Sequence, residues 1–215
     1  MYKAVLFDMD GTVLDTLGDL TDAVNHSLEK FRFPLRGAEE VKSFLGKGPA
    51  HLVGCAAPAG TDEDTLGRLL ADYQAYYDSH CQIKTAPYPG IPELMAQLKA
   101  AGFTLAVISN KQEPAVKALA ERYFDGLLEL AVGTGPEVKC KPDPAAVLSA
   151  MARLGLKKEE TVYVGDMDVD MNTAKNAGID CIAVSWGFLG RERLEALGAE
   201  RIADDSHQLL KMIVS

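Results

Sequence analysis

The chain has 215 residues, 47% of them hydrophobic and 25% charged, and a formal net charge of −9. That is globular composition, long enough for one large domain or for a core with a smaller insert, and too acidic for a nucleic-acid surface. No apolar run reaches the ~18 residues of a membrane-spanning helix, so neither nucleic acid nor membrane is an expected partner.

The first element is an apolar run, Lys3 to Phe7, which reads as a buried strand. Asp8-Met9-Asp10-Gly11-Thr12 follows it. Alternate side chains of a strand point the same way, so Asp8 and Asp10 project together, and two like charges that close need a cation, a shared proton or room to diverge. From Thr16 to Gln82 the spacing is helical with no convincing strand. Leu17, Leu20, Ala23, Val24, Leu28 and Phe31 fit one helix face. Leu66, Leu69, Leu70, Tyr73 and Tyr77 fit another, with Asp62 or Asp64 as its N-cap. This stretch reads either as extra helices on a common core or as an inserted domain, with Pro87 to Pro92 as the return linker.

Beyond the linker, strand and helix alternate. Strands are expected at Leu105–Ile108, Leu127–Val132, Val162–Val164 and Cys181–Val184, and helices at Ile91–Ala101, Pro114–Tyr123 and Ala145–Leu154. Continuous apolar strands alternating with helices predict an α/β fold, a parallel sheet covered on both faces. In such sheets ligands bind beyond the carboxyl ends of the strands. The segments there are Asp8 to Thr12, Ser109-Asn110-Lys111, Lys139 to Pro144 and Gly165 to Asp170. Their carboxylates, hydroxyl, amide and lysines suit Mg²⁺ and phosphate. The four cysteines, Cys55, Cys81, Cys140 and Cys181, are scattered, as in a reducing compartment, and neither they nor the four histidines have zinc-ligand spacing. With the first strand beginning at about the third residue, a cytoplasmic location is expected.

Four motifs in this order resemble the haloacid dehalogenase superfamily of aspartate-dependent phosphatases. They are Asp8-Met9-Asp10-Gly11-Thr12-Val13-Leu14-Asp15, Ser109 after a hydrophobic strand, Lys141 before Pro142-Asp143-Pro144, and Gly165-Asp166 with Asp170. The segment Phe44 to Val53 is similar to the cap loop of the phosphoglycolate phosphatase group, and Ser109-Asn110-Lys111 to that group's second motif. The resemblance implies a Rossmann-like parallel-sheet core of residues 1–15 and 86–215, with a helical cap domain of residues 16–85 inserted after the first motif.

The resemblance also implies roles. Asp8 is the nucleophile, and Asp10 the acid that protonates the leaving alkoxide and then the base for water. Mg²⁺ is held by Asp8, the backbone carbonyl of Asp10 and Asp166, with Asp170 acting behind them through a bound water or Lys141. Ser109, Asn110 and Lys141 hold the phosphoryl oxygens, Gly11 and Thr12 shape the loop around the phosphate, and Lys47 reaches the substrate from the cap. The expected activity is Mg²⁺-dependent hydrolysis of a small phosphorylated metabolite, phosphoglycolate first, by a monomer or homodimer. A sugar-phosphate mutase, a pyrophosphatase or a nucleotidase are the alternatives, and a non-catalytic module on the same fold is a further one. Plainer readings stand beside these: Ser109 as a helix cap, Lys47 as part of a Gly-rich turn, His51 as a surface residue, Asp168 facing solvent, and Trp186 and Phe188 covering the sheet end.

Overall fold

The structure, a computed structural model, describes residues 1–135 and 138–215. The chain forms two compact units, Met1–Asp15 with Pro87–Ser215, and Thr16–Ala86.

The first unit is built on a six-stranded sheet in which every pairing is parallel. Its strands are β1 (Ala4–Phe7), β4 (Thr104–Gln112), β5 (Leu130–Thr134), β6 (Thr161–Gly165), β7 (Asp180–Val184) and β8 (Ile202–Ala203), in the order β5-β4-β1-β6-β7-β8. Two-residue strands β2 (Leu14–Asp15) and β3 (Ala86–Pro87) mark where the chain leaves and re-enters this unit. β1 is central because it is apolar on both faces: Ala4 to Phe7 are all fully buried. Its register sets Phe7 beside Val107 on one side and Val164 on the other. The segments that follow β1, β4 and β6 therefore leave the sheet side by side.

Helices α5 (Ile91–Ala100), α6 (Glu113–Phe124), α7 (Ala145–Leu154) and α8 (Asp168–Ala177) turn apolar stripes inward, such as Leu94, Met95 and Leu98 on α5. Leu6, Ile108, Val147, Met151 and Tyr163 meet in one core cluster. The strand expected at Leu127–Val132 lies later, at Leu130–Thr134. Leu127 is instead spent on closing the turn after α6, its N–H donating to Phe124 O at 3.0 Å. Two further helices close the unit, α9 (Arg191–Ala196) and α10 (Ser206–Val214), the latter capped by Asp205 Oδ1, which accepts from Gln208 N at 2.8 Å.

The second unit contains α1 (Leu17–Lys30), α2 (Ala38–Ser43), α3 (Pro49–Ala56) and α4 (Glu63–His80), and no strand besides the Ala86 end of β3. Leu20, Ala23, Val24 and Leu28 of α1 and Leu69, Tyr73 and Tyr77 of α4 are buried, at helical spacing. Asp62 caps α4, accepting from Thr65 N at 2.8 Å. Buried Asp19, in the first turn of α1, accepts from the backbone N–H groups of Ile83, Lys84 and Thr85 and from the Thr85 hydroxyl, at 2.8–3.1 Å. One carboxylate thus ties the unit's outgoing segment to its first helix.

Candidate active site

Asp8 is the first residue past β1, 6% exposed, and its N–H still bonds the sheet, donating to Val164 O at 2.8 Å. The chain then reverses. Gly11 adopts φ +84°, and a Cβ there would lie 2.4 Å from Asp166 Oδ2, so only glycine lets this loop pass Asp166. Thr12 donates its hydroxyl to Asp166 Oδ1 at 2.9 Å, and Trp186 Nε1 holds the turn from outside by donating to Thr12 O at 3.0 Å.

Lys141 is the hub. Its Nζ lies 2.8 Å from Asp8 Oδ1, 2.6 Å from Asp170 Oδ1 and 3.0 Å from the Tyr163 hydroxyl. The ammonium donates to Asp170 and to Tyr163, while its contact with Asp8 is an ion pair without an aligned hydrogen bond. Tyr163 in turn donates to Ile108 O at 2.8 Å, so the lysine head is braced against the end of β4. Asn110, expected at the phosphoryl group, gives both ends of its side chain to the Lys141 backbone. Its Nδ2 donates to Lys141 O at 3.0 Å and its Oδ1 accepts from Lys141 N at 2.7 Å.

Asp166 and Asp170 are fully buried. Asp166 Oδ2 accepts from Phe188 N at 2.7 Å; the chain passes so close that a Cβ on Gly187 would lie 2.3 Å from Asp166 Cβ. Asp170 Oδ2 accepts from the N–H groups of Asp166 and Met167 at 3.2 and 3.0 Å. Met167 is buried, and half-buried Asp168 opens α8 outside the carboxylate cluster.

These contacts leave an excess of buried negative charge. Burial pushes the Asp8 carboxyl up to about 7, with Lys141 pulling down and Asp170 and Asp10 pushing further up. Asp166 is held well above the carboxylate range by burial and then by Asp170 and Asp8. Burial alone would depress the Lys141 ammonium, but Asp170 and Asp8 reverse this and hold it well above its usual range. Asp8, Asp166 and Asp170 bring one carboxylate oxygen each within 4.8 Å of the others, and Asp8 Oδ1 has no aligned hydrogen-bond donor despite its ion-pair contact. A buried all-oxygen set with surplus negative charge fits a hard divalent cation such as Mg²⁺. The Asp10 side chain is not in this group, so a contribution from Asp10 rests on its backbone carbonyl.

Asp10 has a different partner. Between the paired rows Ile108–Val132 and Gln112–Thr134, β4 advances four residues while β5 advances two. Ser109, Asn110 and Lys111 occupy this bulge, which frees them from sheet alternation. Ser109 Oγ accepts from Lys111 N at 3.2 Å and is 5% exposed. Lys111 Nζ lies 3.0 Å from Asp10 Oδ1, with the lysine side chain 5% exposed. Tyr163 and the Phe188 amide had not been foreseen as site groups, and Lys111 had been placed at the rim within Ser109-Asn110-Lys111 but given no role. Lys47 lies in the second unit, exposed in the turn between α2 and α3.

The chain is similar to known proteins throughout. The family model described as haloacid dehalogenase-like hydrolase matches residues 5–184. Phosphoglycolate phosphatase 1 of Pseudomonas aeruginosa is 36% identical over 197 residues, covering 86% of this chain and 70% of that protein. The N-acetylmuramic acid 6-phosphate phosphatase of the same organism is 31% identical over 213 residues, covering 98% and 94%. Among solved structures, a Lactobacillus delbrueckii subsp. bulgaricus protein, whose phosphoglycolate phosphatase designation is itself provisional, superposes with a TM-score of 0.92 at 36% identity, covering 99% of this chain and 98% of that one. CbbY from Rhodobacter sphaeroides, solved in complex with phosphate, gives 0.78 at 27% identity, covering 97% and 96%.

Proposed function

We propose, because this chain belongs to the haloacid dehalogenase-like hydrolase family, that it hydrolyses small phosphate monoesters through an aspartyl-phosphate on Asp8, with 2-phosphoglycolate as leading substrate. The observation that carries the reading is Lys141 joined to both Asp8 and Asp170 inside a buried carboxylate cluster at the carboxyl edge of the sheet.

The residues divide the work. Lys141 fixes the orientation of Asp8, whose carboxylate oxygen attacks phosphorus as the ester P–O bond breaks. Asp10 gives its proton to the departing alkoxide. Water then attacks the phosphorus of the aspartyl-phosphate, Asp10 takes its proton, and phosphate leaves with Asp8 restored. Ser109 offers its hydroxyl to a phosphoryl oxygen from the bulge of β4. Asp8, Asp166 and the backbone carbonyl of Asp10 would hold Mg²⁺, whose charge offsets the repulsion between Asp8 and the phosphoryl oxygens. Asp170 keeps Lys141 and the Asp166 loop in place behind them.

Phosphate release from a panel of esters, in Mg²⁺ and in chelator, tests the reading. The panel includes 2-phosphoglycolate, N-acetylmuramic acid 6-phosphate, a hexose 1-phosphate, a nucleoside monophosphate and pyrophosphate. Release is expected to need Mg²⁺ and to be most efficient, by kcat/KM, for 2-phosphoglycolate. Asp8→Asn is expected to lower kcat by at least ~10³-fold, and full turnover in that variant would overturn the nucleophile. Conversion of the hexose phosphate to an isomer without free phosphate would make the protein a mutase.

A further inference from the structure

Lys111 is a buried lysine that the hydrolytic steps above do not use. Lysine is rarely buried without a charge partner, and here Asp10 is one, at 3.0 Å. Asp10 is the group that faces the leaving oxygen, so whatever lies beside it lies beside the alcohol half of the ester. This follows from the hydrolytic reading and rests on it.

From this placement we propose that Lys111 is the residue that selects for negative charge on the leaving group, its ammonium pairing with a carboxylate on the carbon that bears the ester oxygen, as in 2-phosphoglycolate. Reach supports it. An acid that protonates the ester oxygen sits about 3 Å from it, and Nζ is 3.0 Å from Asp10 Oδ1, so the ammonium lies within about 6 Å of that oxygen. In such an ester a carboxylate oxygen lies about 3 Å from the ester oxygen, which leaves about the length of a charge-assisted hydrogen bond.

Charge supports it too. The chain carries a net charge of −9, and the carboxylates of Asp8, Asp10, Asp166 and Asp170 crowd this rim. A substrate with an extra negative charge on its alcohol half needs a local cation there. Lys141 is committed to Asp8 and Asp170 on the phosphoryl side. Lys111 supplies the cation on the Asp10 side, and an ammonium with three rotatable donors can be shared between Asp10 and a second carboxylate. The bulge in β4 is what directs the lysine here, two residues after Ser109. One strand end then carries both the hydroxyl for the phosphoryl group and the cation for the leaving group.

The test compares 2-phosphoglycolate with its carboxamide analogue, which differs only in the charge of the alcohol half, by kcat and KM in Mg²⁺. The wild-type protein is expected to favour the acid by 30-fold or more in kcat/KM. Lys111→Gln is expected to cut that ratio at least tenfold, chiefly by raising KM for the acid, and Lys111→Arg to keep more of it than Lys111→Gln. A wild-type ratio near one overturns the proposal alone, whether or not any variant folds. So does a Lys111→Gln protein in which both esters lose efficiency by the same factor. Absence of phosphate release from every ester overturns the phosphatase reading and this proposal with it.

Discussion

Asp8 and Asp10 stand two residues apart on one strand end, yet each faces its own lysine: Lys141 at 2.8 Å and Lys111 at 3.0 Å. The first lysine is bound on three sides, and the third side is Tyr163. Tyr163→Phe would leave a buried ammonium hydrogen and the Ile108 carbonyl without their partner, an expected loss of about 1–3 kcal/mol of stability by urea unfolding. It should also lower kcat more than it raises KM, because it loosens the group that orients Asp8. Unchanged kcat with the stability loss alone would make Tyr163 purely structural. Asp8, Asp10 and Asp166 could be picked out from the sequence because their motifs put charge where an apolar strand stops, Asp170 by its spacing from Gly165-Asp166, and Lys141 by the Pro142-Asp143-Pro144 that follows it. Tyr163 could not, since a tyrosine between two valines of a buried strand reads as core. The Phe188 amide could not either, because a backbone donor carries no residue-type signal.

At the scale of elements, a few local departures from regularity place the chemistry. The β4 bulge presents Ser109 and Lys111 together, and the loop after β7 presses Gly187 onto Asp166. In the helical unit the corresponding device is Asp19, which gathers four donors from residues 83–85. Asp19→Ala would strand those N–H groups. The expected cost is about 3 kcal/mol or more, read from chemical denaturation, and a loss below about 1 kcal/mol would mean that water replaces the carboxylate there. The main strands and long helices were legible because their apolar periods run for several residues. The two-residue strands β2, β3 and β8 were not, for no periodicity exists at that length. β5 was displaced because Leu127 is apolar but is used to close the turn after a helix, and residue type alone does not tell that use from a strand.

The molecule as a whole is a phosphatase of the haloacid dehalogenase-like hydrolases, and none of its described helices is long and apolar enough to cross a membrane. Its stability should carry the mark of its carboxylate cluster. Asp8, pushed up to about 7 in the fold, and Asp166, pushed up as well, hold protons that the unfolded chain has already released. The folded state therefore binds more protons across the range from about pH 4 to pH 7, and stability falls as pH rises through it. In chelator, Tm is expected to drop between pH 5 and pH 8, less steeply in Asp8→Asn, and Mg²⁺ should flatten the wild-type profile. A flat profile in chelator would mean that the cluster imposes no such cost. Lys141 bears on the reverse problem, that of chemical reactivity. An amine reacts with acylating reagents only when deprotonated and approachable, and Lys141 is 4% exposed, raised in pKa, hydrogen-bonded to Tyr163 and Asp170 and ion-paired with Asp8. Amine-directed labelling should therefore modify solvent-facing lysines such as Lys3 and Lys139 and pass over Lys141, so that dyes or surface tethers can be attached through lysines while the lysine beside the nucleophile stays untouched.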